Sequence, residues 1–210
     1  MLPLSLKGSK GPVKGVRAMK RLAGFHVGLM GLVGLVGLAL SGFSSHALAA
    51  TSCNTGPAPA APLSGTVVGG VVVNGGDFCV IDGANVSGGV RVNEGGILIV
   101  CASTINGGLI ANGAAELLFG AEEIGCGGDF INGGVHINNT GPGVFTPAPS
   151  IALENSRISG SVHLSGNSGV IAVASNTIAG GLFCSNNLFD LVDEGSPSII
   201  TGTVRCNFTD

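Results

Sequence analysis

The side chains best able to do chemistry in this 210-residue chain are six cysteines, two histidines in the body of the chain and twelve carboxylates. Cys53 and Cys79, Cys101 and Cys126, and Cys184 and Cys206 stand roughly 22 to 26 residues apart, with no C-x-x-C spacing anywhere. That pattern favours disulfides over zinc or a reactive thiol. His136 and His163 occupy the same place in two copies of one heptapeptide. Two neighbouring imidazoles can bind a metal or respond to pH, but no third ligand accompanies them. Asp190, Asp193 and Glu194 share one acidic loop and Glu122 adjoins Glu123; both groups are read as solvated charge rather than calcium ligands. Gly75-Gly76-Asp77-Phe78 and Gly127-Gly128-Asp129-Phe130 begin like a calcium-binding nonapeptide but lack its next glycine, so they are read as corners. Ser, His and Asp are present without a G-x-S-x-G nucleophile elbow. No catalytic residue, metal site or cofactor is expected.

What must position these groups is a repeat. Ile131-Asn132-Gly133-Gly134-Val135-His136-Ile137 returns, with substitutions, around Gly88, Gly107, Gly160, Gly180 and Gly202, and a degenerate first copy is placed at Leu63-Ser64-Gly65-Thr66-Val67. Counted from these glycines, positions −2 and +2 are aliphatic in every copy and +4 is apolar, which makes them the inside of a strand-built coil. Stacked repeats of this period define a solenoid. The expected fold is an all-β, right-handed parallel β-helix of about seven coils with a period near 22 residues. Identical rungs ~4.8 Å apart would give a rod roughly 34 Å long. Each coil holds at least two short strands, the second being Cys79–Ile81, Leu98–Val100, Ile151–Leu153 and Ile171–Val173.

The register sorts the chemistry. Position +3 faces outward and holds Arg91, Ile110, His136, His163, Phe183 and Arg205, a variable solvent-facing column and at most a modest binding stripe. Position +5 is Asn or Ser throughout, a candidate hydrogen-bonding ladder. Cysteines one coil apart should pair in sequence order, and Cys184 with Cys206, both at +4, should clamp the last coil. Segments 113–130, 139–150 and 187–199 are expected to project as loops, where function usually sits.

Residues 1–49 read as a cleaved signal peptide: six basic residues, the apolar run 22–40, then Ala47 and Ala49 in an A-x-A arrangement. Met19 would open a signal of ordinary length. Residues 50–62 form a Pro/Ala lead-in tethered by Cys53, and 63–210 the β-helix. Beyond Ala49 three arginines face twelve acids, a net charge of −9. That balance excludes nucleic acid as a partner, and nothing anchors the mature chain in a membrane.

The ladders and Gly/Asn corners over about 63–207 resemble those of secreted bacterial right-handed parallel β-helix proteins, adhesin-like ones first and pectate-lyase-like enzymes more distantly. The resemblance implies a secreted or periplasmic location and an architecture, and carries over no catalytic residue. The expected function is a non-enzymatic structural or adhesion-type protein, with a cell-surface glycan or protein as partner and self-association through the open coil ends. The alternative is a carbohydrate-binding or carbohydrate-active β-helix assisted by calcium. An enzyme would need carboxylates converging with Arg91 or Arg205 on one face.

Overall fold

The computed structural model describes residues 49–53, 61–145 and 148–209. The segment 1–49 read as a signal peptide, with His26 and His46, lies outside the described residues except for Ala49, as does most of the lead-in. The rest is a parallel β-solenoid whose coils each present three faces. The first face stacks Thr51–Ser52, Val71–Val73, Val90–Val92, Leu109–Asn112, Val135–Asn138, Val162–Ser165, Leu182–Ser185 and Val204–Arg205. The second stacks the start of Phe78–Val86 with Ile97–Cys101, Glu116–Phe119, Ile151–Glu154, Ile171–Ala174, Leu191–Val192 and Phe208–Thr209. The third continues from the end of Phe78–Val86 through Thr104–Ile105, Phe130–Ile131, Arg157–Ile158, Thr177–Ile178 and Ile199–Ile200. Every pairing between these strands is parallel, and the long strand Phe78–Val86 joins the second and third faces in the first full coil. Among the described residues the one helical element is a 3₁₀ turn, Glu122–Ile124, and no helix is long and apolar enough to cross a membrane.

The heptapeptide is therefore not one strand. Its −2 residue belongs to the third face, its +2 and +4 residues to the first, and the pivot glycine sits at the corner between them. There the coils touch backbone to backbone: Gly88, Gly107, Gly160, Gly180 and Gly202 each donate an N–H to the glycine carbonyl one coil earlier, at 2.6 to 3.2 Å. A Cβ on Gly160 would lie 2.6 Å from Gly133 O and Gly134 N, and one on Gly202 2.6 Å from Gly180 O. The glycines are thus required by close approach along the coil axis.

Three expectations need correcting. The first copy is not centred on Gly65. Val67 pairs with Val86 and Val71 with Val90, so the copy is Val67-Val68-Gly69-Gly70-Val71-Val72-Val73, four residues later. Leu63 pairs instead with Ile81, across a bulge, on the second face. The coil count is also eight rather than seven, because Thr51–Ser52 adds a rung against Val71–Val72. Segments 113–130 and 187–199 are not wholly loops either, since Glu116–Phe119 and Leu191–Val192 are second-face rungs.

The core is a set of aliphatic ladders. Val86, Ile105, Ile131, Ile158 and Ile178 come from the third face; Val90, Leu109, Val135, Val162 and Leu182 from the first; Leu98, Leu117, Ile151 and Ile171 from the second, all essentially inaccessible. Each such side chain contributes ~1.5–3 kcal/mol on burial. The disulfides are Cys53–Cys79, Cys101–Cys126 and Cys184–Cys206, with Cα separations of 5.6, 4.8 and 4.9 Å, in the sequential order the repeat implied. With no free cysteine, they point to an oxidising, extracellular or periplasmic setting.

The glycine corner gives a direct test. Gly160→Ala should lower the midpoint of urea unfolding by the equivalent of ~1–3 kcal/mol, the usual range for overpacking. Gly141→Ala, whose Cβ would meet nothing within 4 Å, should be near neutral. Equal effects at the two positions would contradict the backbone contact.

Candidate functional site

The first face carries the candidate site. Its parallel register places Arg91 opposite Ile110, Ile110 opposite His136, His136 opposite His163, His163 opposite Phe183 and Phe183 opposite Arg205. Four consecutive rungs form one stack. The His136 and His163 rings lie 4.7 Å apart with planes 5° from parallel, His163 and Phe183 lie 4.7 Å apart at 17°, and the Arg205 guanidinium sits 6.0 Å from the Phe183 centroid. Stacked rings of this kind contribute ~0.5–1.5 kcal/mol beyond their burial. Arg91 stands two rungs away, separated by Ile110.

Because the ring planes face one another along the axis, solvent meets ring edges. The rings lean over position +1, where a Cβ on Gly181 would come 2.6 Å from Phe183 Cε2 and Cζ, and one on Gly134 3.4 Å from His136 Nε2. At Phe183 the second glycine of the Gly-Gly pair, Gly181, is what admits the ring, whereas His163 has Ser161 at that position. On the other side runs the +5 column. Asn93 donates to Asn74 at 3.1 Å, Asn74 to Ser52 at 3.4 Å and Ser165 to Asn138 at 2.5 Å. Asn112 accepts from Asn139, one residue past the expected partner, at 2.9 Å. The ladder thus exists in segments. Around the stack, His136, Asn138, His163, Ser165, Phe183, Ser185 and Arg205 line a shallow trough of about 380 Å³.

The projecting loops are tied down. Val144 and Phe145 lie back on the second face, donating their backbone N–H groups to Glu116 Oε2 at 2.7 and 2.8 Å, and the Phe145 ring meets Phe78 edge-on. In the 187–199 segment, Leu188 N–H donates to Asn167 O and Ser196 O accepts from Ser175 N–H.

The carboxylates gather elsewhere. No outward residue of the first face is acidic. Glu122, Glu123, Glu154 and Glu194 converge beside the second face instead. Burial, and then the charges of Glu123, Glu194 and Glu122, push Glu154 up to about 7 against the pull of the Glu122 N–H. Burial also raises Glu116. A further acid, Asp129, belongs to a column at position −4 that sequence reading passed over. Its backbone N–H donates to Ser156 Oγ and its Oδ1 accepts from Ser103 N–H, while Ser156 N–H donates to Asn176 Oδ1 and Asn176 N–H to Ser198 Oγ. Spaced one per coil among Ser and Asn, these residues hydrogen-bond the corner between the second and third faces. Burial lifts Asp129 to about 7, against the donated N–H groups.

Comparison of the chain with protein-family models, with curated proteins and with solved structures found no match.

The Asp129 position sets the sign of a pH effect. Its folded pKa is raised, so its contribution to stability is complete below its ordinary value near 3.8 and is lost as the pH climbs through about 7. Asp129→Asn keeps the acceptor for Ser103 without the charge. Urea midpoints should therefore fall less between pH 5 and pH 8 in this variant than in the parent, and the variant should be the more stable protein at pH 8. A parent midpoint that rises over this interval would contradict the assignment.

Proposed function

We propose that this protein is an exported, non-enzymatic solenoid of the structural or adhesion type, and that its first face, rather than a loop, is the surface it presents. One observation carries the reading: the unbroken stack His136–His163–Phe183–Arg205 rides on a rigid ladder and is flanked by Asn and Ser amides and hydroxyls. Export by the segment 1–49 is consistent with the three disulfides.

The chemistry of the face suits a hydroxyl-rich ligand. Imidazole edges can donate or accept, the guanidinium donates, and the Asn/Ser column offers both functions at a fixed repeat. Beyond Ala49, where three arginines face twelve acids, this face carries Arg91 and Arg205 without a carboxylate, so it is the side that a neutral or weakly acidic surface glycan can approach. Against catalysis stands the separation of parts. Hydrolysis or elimination needs an acid and a base in reach of one bond, whereas the converging glutamates lie beside the second face and the stacked arginine on the first.

Purified protein offered immobilised neutral and acidic polysaccharides should be retained without releasing shorter products. The double variant His163→Ala/Phe183→Ala should lose at least ~10-fold in affinity, an amount equivalent to ~1.4 kcal/mol. Cleavage of any polymer would overturn the non-enzymatic reading. Absence of binding, or binding unchanged in the variant, would overturn the adhesive first face.

A further inference from the structure

The carboxylates beside the second face come from three widely separated stretches. Glu122 and Glu123 lie in the 3₁₀ turn after Glu116–Phe119, Glu154 ends the rung Ile151–Glu154, and Glu194 lies in the turn that follows Leu191–Val192. One oxygen from each of Glu123, Glu154 and Glu194 falls within 4.8 Å of the other two. Glu154 is 1% exposed. Its Oε2 accepts the Glu122 N–H at 3.0 Å, but its Oε1, equally buried, has no hydrogen-bond partner. A buried carboxylate oxygen left without a partner is costly, and like charges beside it add to the cost. The chain offers no remedy of its own: beyond residue 49 it has no lysine, and its three arginines stand on the first and third faces.

We propose that Glu123, Glu154 and Glu194 form a Ca²⁺ site that pins the 122–124 turn and the 193–196 turn to the second-face rung Ile151–Glu154. Ligand chemistry favours Ca²⁺ over Mg²⁺: three carboxylates from separate turns, each pair of oxygens within 4.8 Å, suit a cation that accepts six to eight oxygens in flexible geometry, whereas Mg²⁺ demands a near-ideal octahedron and is usually held by one or two carboxylates. Glu122 is positioned to help, since its Oε1 is held by Asn155 Nδ2 at 3.1 Å, and the same Nδ2 donates to Gly120 O at 3.2 Å. A small trough lined by Glu122, Glu154, Asn155, Ser175, Glu194 and Ser196 opens to solvent, leaving room for the waters that complete the shell. Two of the three ligands are exposed, so the affinity belongs with that of extracellular calcium modules, a Kd of ~10⁻⁴–10⁻³ M.

The ion ties together what the disulfides leave free. Cys101–Cys126 fastens one flank of the 120–126 loop, while the 193–196 turn is joined to its neighbour through Ser175 N–H to Ser196 O and a bridge between Ala174 and Pro197. Calcium would link both to one carboxylate.

The test uses CaCl₂ alone, followed by calorimetric titration and thermal unfolding of the purified protein at pH 8, with MgCl₂ in parallel. Ca²⁺ should bind with one-to-one stoichiometry and raise Tm in a saturable manner, with Mg²⁺ at least ~10-fold weaker. Glu123→Gln/Glu194→Gln changes only exposed side chains, so it should fold, shown by an unaltered far-ultraviolet spectrum, with an ion-free Tm at or above the parent's. It should lose the Ca²⁺ response. No heat and no Tm shift in the parent at ~10 mM Ca²⁺, ten times the weakest expected Kd, would overturn the site; so would a response that persists in the double variant.

Discussion

Where the third face turns into the first, successive coils meet backbone on backbone with no space for a Cβ. Everything else in the solenoid depends on that contact. It sets the coil spacing at one corner, and the parallel hydrogen bonds carry the spacing round the other two. Once set, it stacks valine on valine inside and ring on ring outside. The His136–His163 separation of 4.7 Å is the strand spacing expressed in side chains. The exposed stripe is therefore a consequence of the glycine column and inherits its rigidity.

The remaining corners are held by side chains. At the exit of the first face, Asn and Ser side chains link neighbouring coils in segments. Between the second and third faces, the buried Ser103, Asp129, Ser156 and Asn176 column holds backbone N–H groups that would otherwise lack acceptors. Asp129 occupies a place that Ser or Asn fills in the neighbouring coils, and there it carries a charge that burial opposes.

Much of this could be read from the sequence because the repeat is strict where backbones touch. The pivot glycine, the aliphatic −2 and +2 positions and the outward +3 column follow from spacing alone, and the cysteine pairing follows from the column. The first copy misled because Leu63-Ser64-Gly65-Thr66-Val67 imitates the motif on the wrong face, while Val67-Val68-Gly69-Gly70-Val71 continues the true register. The second face was harder to see. Its rungs at Cys79–Ile81, Leu98–Val100, Ile151–Leu153 and Ile171–Val173 follow from the sequence, but at Glu116–Phe119 the outward Leu118 is buried and the alternation that marks a half-exposed strand is lost. The glutamate cluster had no sequence signal, since insertions of unequal length separate its members and only the fold brings Glu123, Glu154 and Glu194 together.

The register at the glycine corner is the claim on which the exposed stripe and the carboxylate cluster both rest. Scalar couplings across backbone hydrogen bonds, measured by NMR on labelled protein, report it most directly. The amide of Gly88 should couple to the carbonyl carbon of Gly69, that of Gly107 to Gly88, and that of Gly180 to Gly160. A coupling from Gly88 to Gly65, or none along the column, would contradict the register.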